Sequence, residues 1–163
     1  MHNSNIDDQL IKQSLSKAKT IAMIGVSSAK KEDEISSNIK RKPSIIVMKY
    51  LQEFGYKVIP VNPFAIGKKI CGEFVVGKLE DITTPIDVVN VFRPSKEVPA
   101  IAKQAANIKA KVLWLQFGIE NHEARGIAEK ASIVYIANRC IKQEYQRLFS
   151  KVNPVFPALL QTD

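Results

Sequence analysis

Two cysteines and two histidines are all that this 163-residue chain contains for disulfide, thiol or imidazole chemistry. Cys71 and Cys140 lie far apart and form no C-x-x-C pair, which argues against a zinc site or a disulfide framework and fits a reducing compartment. His2 stands near the N-terminus and His122 in the first turn of an expected helix, so neither completes a Ser-His-Asp arrangement. No paired-acid motif and no metal-ligand spacing is present. No apolar run reaches the length of a membrane span, and the N-terminal residues, with Asp7 and Asp8 and no apolar core, do not read as a signal peptide. The expectation is a cytoplasmic protein without a membrane segment.

Glycine is also sparse, at seven residues, and two nucleotide-binding signatures that depend on it are missing. The dinucleotide fingerprint G-x-G-x-x-G fails at its second glycine, where Ser27 stands. The acidic residue that holds a ribose after the second strand is replaced by Val61-Asn62-Pro63. Both departures weigh against NAD. The Walker A pattern is absent as well.

What is present is an ordinary globular composition, 45% apolar and 25% charged, with a net charge of +8. The length suits one domain over residues 1–163, with a leading helix in 1–18 and a C-terminal tail in 150–163. The positive balance favours an anionic partner, either a nucleic acid or a small phosphorylated ligand. The charges are scattered without interleaved aromatics, so nucleic acid ranks last.

Apolar patterning alternates between two periods. Ile6, Leu10, Ile11 and Leu15 predict a leading helix capped by Ser4 or Asn5. Strands are expected at Ile21–Val26, Val58–Val61, Asp87–Phe92, Lys111–Leu115 and Ile133–Ile136. Between them, Pro43 opens a helix with Val47, Tyr50, Leu51 and Phe54 on one face and Gly55 as its stop. Ser95 is expected to cap a helix carrying Val98, Ile101, Ala102 and Ala105, and Asn121 one carrying Ala124, Ile127, Ala128 and Ala131. Asn138 is expected to cap the last helix, with Ile141, Tyr145, Leu148 and Phe149 on its buried face. Strand and helix in this alternation imply right-handed βαβ units, a five-stranded parallel sheet and three α/β/α layers.

In an open parallel sheet, ligands bind beyond the carboxyl ends of the strands. Those ends hold Gly25-Val26-Ser27, Asn62-Pro63, Phe92-Arg93, Gln116-Phe117-Gly118 and Asn138-Arg139-Cys140. Asn62-Pro63 and Asn138 serve equally well as turn formers or caps. Arg93 and Arg139 over one sheet edge would repel each other unless an anion or a carboxylate stood between them. The glycine turn beside Lys40-Arg41-Lys42 and a helix N-terminus at Pro43 makes a phosphate site, or Lys40–Lys42 is only a solvated loop.

Five segments in order, "IAMIGVSS", "KPSIIVMKYLQEFGYKVIPVNP", "IDVVNVFRPSKEVP", "KVLWLQFGI" and "NRCIKQEYQRL", resemble the small stand-alone CoA-binding proteins. These are similar to the CoA-binding domain of succinyl-CoA synthetase alpha chains, and the resemblance runs from about Ala18 to Phe149. It implies a Rossmann-like, doubly wound fold and coenzyme A or acyl-CoA as the small-molecule ligand. The pocket is carried over to Gly25, Val26, Ser27, Pro43, Ser44, Asn62, Pro63, Phe92, Arg93, Gln116, Phe117, Gly118, Asn138, Arg139 and Cys140. Lysines of the 40–42 run, Lys40 or Lys42, or else Arg93 would neutralise phosphates, and Phe92 or Val98 would flank the adenine unless both are core residues. The stretch Ala29–Arg41 is longer than the family's usual loop.

The synthetases use a phosphorylated histidine on another domain, which this sequence does not contain. Glu144 and Tyr145 read as surface and core rather than proton donors. The resulting expectation is a non-catalytic carrier, sensor or regulatory module. The alternative is an oxidoreductase-like enzyme with an unrecognised nucleotide cofactor. Cys140 stands beside Arg139 and is expected inside the first turn of the last helix. Either it forms a mixed disulfide with the ligand thiol under oxidation, as its place near the ligand in the resemblance implies, or it is a small packing residue of that helix. Cys71 is remote from the strand ends.

Overall fold

The computed structural model describes residues 4–26 and 43–149. Ser27, Lys42, the rest of the long loop and the C-terminal tail lie outside the described residues. Five parallel strands form the main sheet: β1 (Thr20–Ile24), β2 (Lys57–Val61), β5 (Val88–Val91), β6 (Val112–Leu115) and β7 (Val134–Ile136). Two further strands, β3 (Lys69–Ile70) and β4 (Glu73–Phe74), make a small hairpin. Among the described residues, five α-helices accompany them: α1 (Ser4–Lys17), α2 (Pro43–Glu53), α3 (Val98–Asn107), α4 (His122–Lys130) and α5 (Ile141–Phe149).

The order across the sheet is β2-β1-β5-β6-β7. Met23 pairs with Pro60 on one side and Asn90 on the other. Pro60 has no N–H to give to a ladder and is tolerated because β2 lies at the edge of this sheet. The near-continuous apolar strands are explained by burial on both faces. Ile21, Met23, Val88, Val112 and Trp114 pack under α1, α2 and α5, whose contributions include Leu15, Val47, Leu51, Ile141 and Tyr145. Ala22, Val89, Val91, Leu113 and Leu115 face α3 and α4. Those two helices present Ala102, Ala105, Ala124 and Ala128, small enough to let them lie close to the sheet and to each other. The fold is thus a three-layer, Rossmann-like α/β/α sandwich, as expected.

Several local expectations are corrected. The first strand ends at Ile24 rather than Val26, because Gly25 turns the chain with φ +94°. Ser95 does not cap α3. It opens a short 3-10 turn, and its Oγ and carbonyl accept from Glu120 N and Asn121 Nδ2 instead. Asn138 does not cap α5 either, since its Oδ1 accepts from Gly118 N at 2.7 Å. The Ile141 amide is met by Gln116 Oε1 at 3.0 Å. Asn121 does cap α4, accepting from Ala124 N at 2.8 Å. The leading helix begins at Ser4, but the side chains of its proposed caps lie outside the described residues.

The β3–β4 hairpin was not expected. Cys71 (φ +50°) and Gly72 (φ +81°) supply the two positive-φ positions of a tight two-residue turn. Val76 bridges to Val61, and Lys57 pairs with Glu73, so the hairpin extends the β2 edge. Among the described residues, no helix is long and apolar enough to cross a membrane.

Candidate functional site

Strand order reverses direction between β1 and β5, which makes their carboxyl ends the topological switch point. The chain leaves β1 at Gly25, whose N–H donates to the Val61 carbonyl at 3.1 Å, while Phe92 N donates to the Ile24 carbonyl at 2.8 Å. Gly25 therefore sits between the ends of β2 and β5. A β-carbon there would stand 2.8 Å from Arg93 Cδ and displace that side chain, and the φ of +94° favours glycine in any case. Val26 is fully buried, and its carbonyl accepts from Asn62 Nδ2 at 3.0 Å. Asn62 Oδ1 accepts from Phe64 N at 2.9 Å, so Asn62 both forms the turn after β2 and ties it to the glycine turn. Pro63 is exposed beside it.

Arg93 follows β5 and lies in a fork with Glu97, at 3.2 Å to Oε1 and 2.8 Å to Oε2. Phe92 is half-buried against the core, and Val98 has no exposed surface, so Val98 packs the sheet and cannot flank a ligand ring here. Pro43 is exposed at the start of α2 and Ser44 is buried one residue later.

The second half of the carboxyl edge is knitted across β6 and β7. Gln116 is buried, because its side chain is committed to the first amide of α5. Phe117, by contrast, is 75% exposed. Gly118 (φ +87°) and Asn138 (φ +60°) are joined by the amide-to-side-chain bond already described. The Arg139 carbonyl accepts from Trp114 Nε1 at 2.8 Å, and its N–H donates to the Leu115 carbonyl at 3.3 Å. Beside these residues opens a cleft of about 670 Å³, walled by Leu10 and Ile11 of α1, Phe117, Ile136, Cys140 and the start of α5. Cys140 is half-buried on that wall, and its carbonyl accepts the Glu144 amide, so it precedes α5 rather than lying inside it.

The two strand-end arginines do not share one counter-charge. Arg93 has Glu97, and Arg139 has Glu144 at 2.5 Å. Glu144 is the reverse of a surface residue: it is 8% exposed and bound also by Arg147 Nε at 2.7 Å. Burial by itself pushes its carboxyl up, but the hydrogen bonds from Arg147 and Arg139 outweigh this and hold it below the usual range. Tyr145 is buried in the core, as expected.

The structure thus gathers Gly25, Val26, Asn62, Phe92 and Arg93 at the switch point. It gathers Gln116, Phe117, Gly118, Asn138, Arg139 and Cys140 farther along the same edge, after β6 and β7. The contribution of α1 was missed, as was that of Arg147. Asp8 and Arg147 are 139 positions apart, and no local pattern joins them. Among the described residues, no group of histidine, cysteine or carboxylate side chains could hold a metal ion.

Comparison with known proteins gives a consistent result. The family described as CoA binding domain matches residues 19–146. The uncharacterized protein YneT of Bacillus subtilis is 36% identical over 135 residues, covering 81% of this chain and 89% of that one. A solved structure from Thermus thermophilus is 34% identical with a TM-score of 0.77, covering 87% of this chain and 98% of its own. A hypothetical protein from Pyrococcus horikoshii is 35% identical with a TM-score of 0.74, covering 86% of this chain and 91% of its own.

Proposed function

The chain belongs to the CoA binding domain family, and from that premise we propose that it is a cytoplasmic CoA or acyl-CoA binding protein without chemistry of its own, acting as a carrier, sensor or regulatory module. The observation that carries the reading is the Gly25 turn pressed against Arg93 at the switch point. A turn without a β-carbon leaves backbone free to approach a pyrophosphate, and a guanidinium beside it neutralises the charge. In this reading Gly25, Val26, Ser27, Lys42, Pro43 and Ser44 hold the phosphates, with Asn62 and Pro63 closing one side. Arg93 contributes charge, and the arm runs past Gln116, Phe117 and Gly118 toward Asn138, Arg139 and Cys140.

An oxidoreductase reading is disfavoured by a specific feature. The end of β2 carries Asn62, whose amide is already engaged by the Val26 carbonyl and the Phe64 amide. No carboxylate stands there for a nicotinamide cofactor's ribose. Mass spectrometry of ligand released from the purified protein tests the proposal. A CoA or acyl-CoA mass is expected, and NAD(H) in its place would overturn it.

A further inference from the structure

Arg139 has its backbone fixed on both sides, by Leu115 and by the Trp114 indole. Only the direction of its guanidinium is left to be set, and about a third of that side chain is exposed, at 31%. The setting group is Glu144. Its Oε1 accepts from Arg139 Nη1, and its Oε2 accepts from Arg147 Nε at 2.7 Å. Arg147 is in turn gripped by Asp8 of α1 in a two-bond fork, at 2.9 and 2.7 Å. Asp8, α1 and Arg147 all lie outside residues 19–146, the part matched to the family.

A carboxylate shared by two guanidiniums offers each one oxygen. Left with a single arginine, it closes on it with both. Arg147 therefore keeps half of Glu144 occupied. We infer that Arg147, anchored to α1 through Asp8, is a positioning residue that keeps Arg139 available to an anionic group of a ligand lying over the carboxyl edge. The inference rests on the CoA reading above. The alternative is that the four charges do no more than fasten α1 to α5. The placement favours a role in binding, because Arg139, Glu144 and Arg147 line the same cleft as Cys140 and Phe117. Leu10 and Ile11 of α1 line the cleft too, so α1 both shapes it and holds the arginine that governs it. Helix α1 is fastened to the body independently as well: the Tyr56 hydroxyl donates to the Leu15 carbonyl, and Lys12 lies over the Phe149 ring at 5.6 Å. Loss of the charge network alone should therefore leave α1 in place.

The two roles separate in a suppressor experiment with CoA as the titrant. Trp114, the chain's single tryptophan, reports by fluorescence because its indole bonds the Arg139 carbonyl. Arg147→Gln is expected to weaken CoA binding about tenfold, as Glu144 closes on Arg139. Adding Glu144→Gln releases Arg139 and is expected to return affinity to within about threefold of wild type. A purely structural network predicts the opposite, since a second substitution in it would loosen α1 further. Should Arg147→Gln fail to fold, Arg147→Lys carries the comparison, with an intermediate affinity expected because a single ammonium offers no fork. Unchanged affinity in Arg147→Gln, or a loss that persists in the double variant, overturns the inference and leaves the CoA reading standing. A wild-type protein that binds no CoA overturns the reading and this inference together.

Discussion

A β-carbon added to Gly25 would stand 2.8 Å from Cδ of Arg93 and 3.2 Å from the carbonyl carbon of Phe92. The arginine side chain can move away, whereas the Phe92 backbone, which donates to the Ile24 carbonyl, must give by a few tenths of an ångström. Gly25→Ala therefore adds a steric conflict to the strain of a side chain at φ +94°. The expected loss of stability is on the order of 1–3 kcal/mol. Urea unfolding measures it, and CoA affinity should fall in the same variant because the turn must shift. Full stability would mean the turn relaxes freely.

Arg93→Ala separates binding from folding. The fork to Glu97 is exposed, with side chains 45% and 39% accessible, so its loss should change stability by less than about 0.5 kcal/mol. CoA binding should weaken by on the order of 1.5–3 kcal/mol, the worth of a charge-assisted bond. Calorimetry showing unchanged affinity would mean that Glu97 keeps Arg93 away from the ligand.

Acid should act on the junction between α1 and α5. The arginines hold the Glu144 carboxyl below its ordinary value of 4.5, so it protonates at lower pH in the folded protein than in the unfolded chain. The pairing therefore stabilises the fold above about pH 4.5 and loses that contribution as pH falls below it. In Arg147→Gln burial is opposed by one arginine fewer, and the carboxyl rises. The variant should be less stable than wild type at pH 7, and the difference should be smaller at pH 3, because Glu144 and Asp8, both held low by Arg147, give up their charges toward acid pH. Equal differences at both pH values in urea unfolding would contradict this.

The outline of the fold was legible because its signals are local. Five apolar runs and the amphipathic helices between them are set by burial on two faces of one sheet. The helix caps were less legible. Asn121 bonds the amide three residues on, which short spacing reveals. Gln116 caps a helix 25 positions away, which only the packing of β6 against α5 reveals. The hairpin at Lys69–Phe74 escaped notice because Cys71 supplies a positive φ that sequence patterns assign to glycine or asparagine. The strand-end residues of the site could be named once the strands were known. The arrangement of charges around Arg139 could not, since it depends on Asp8 and Arg147 meeting across the whole chain.

Thiol chemistry distinguishes the two cysteines. Cys140 borders the cleft, whereas burial pushes the Cys71 thiol up and its turn lies on the β3–β4 hairpin. With CoA disulfide, the Cys140 thiolate is expected to attack one sulfur, forming a Cys140–CoA mixed disulfide and releasing one CoA thiolate. Peptide mapping by mass spectrometry should find the adduct at Cys140 in clear excess over Cys71. Equal labelling, or none at Cys140, would place the ligand thiol elsewhere.

The central claim is that this glycine turn and strand edge are built for CoA and not for a nicotinamide dinucleotide. Side-by-side calorimetric titration of CoA and NAD into the wild-type protein tests it directly. The account predicts saturable CoA binding at least about tenfold tighter than NAD, a difference of roughly 1.4 kcal/mol. NAD binding as tightly as CoA, or more tightly, would contradict it.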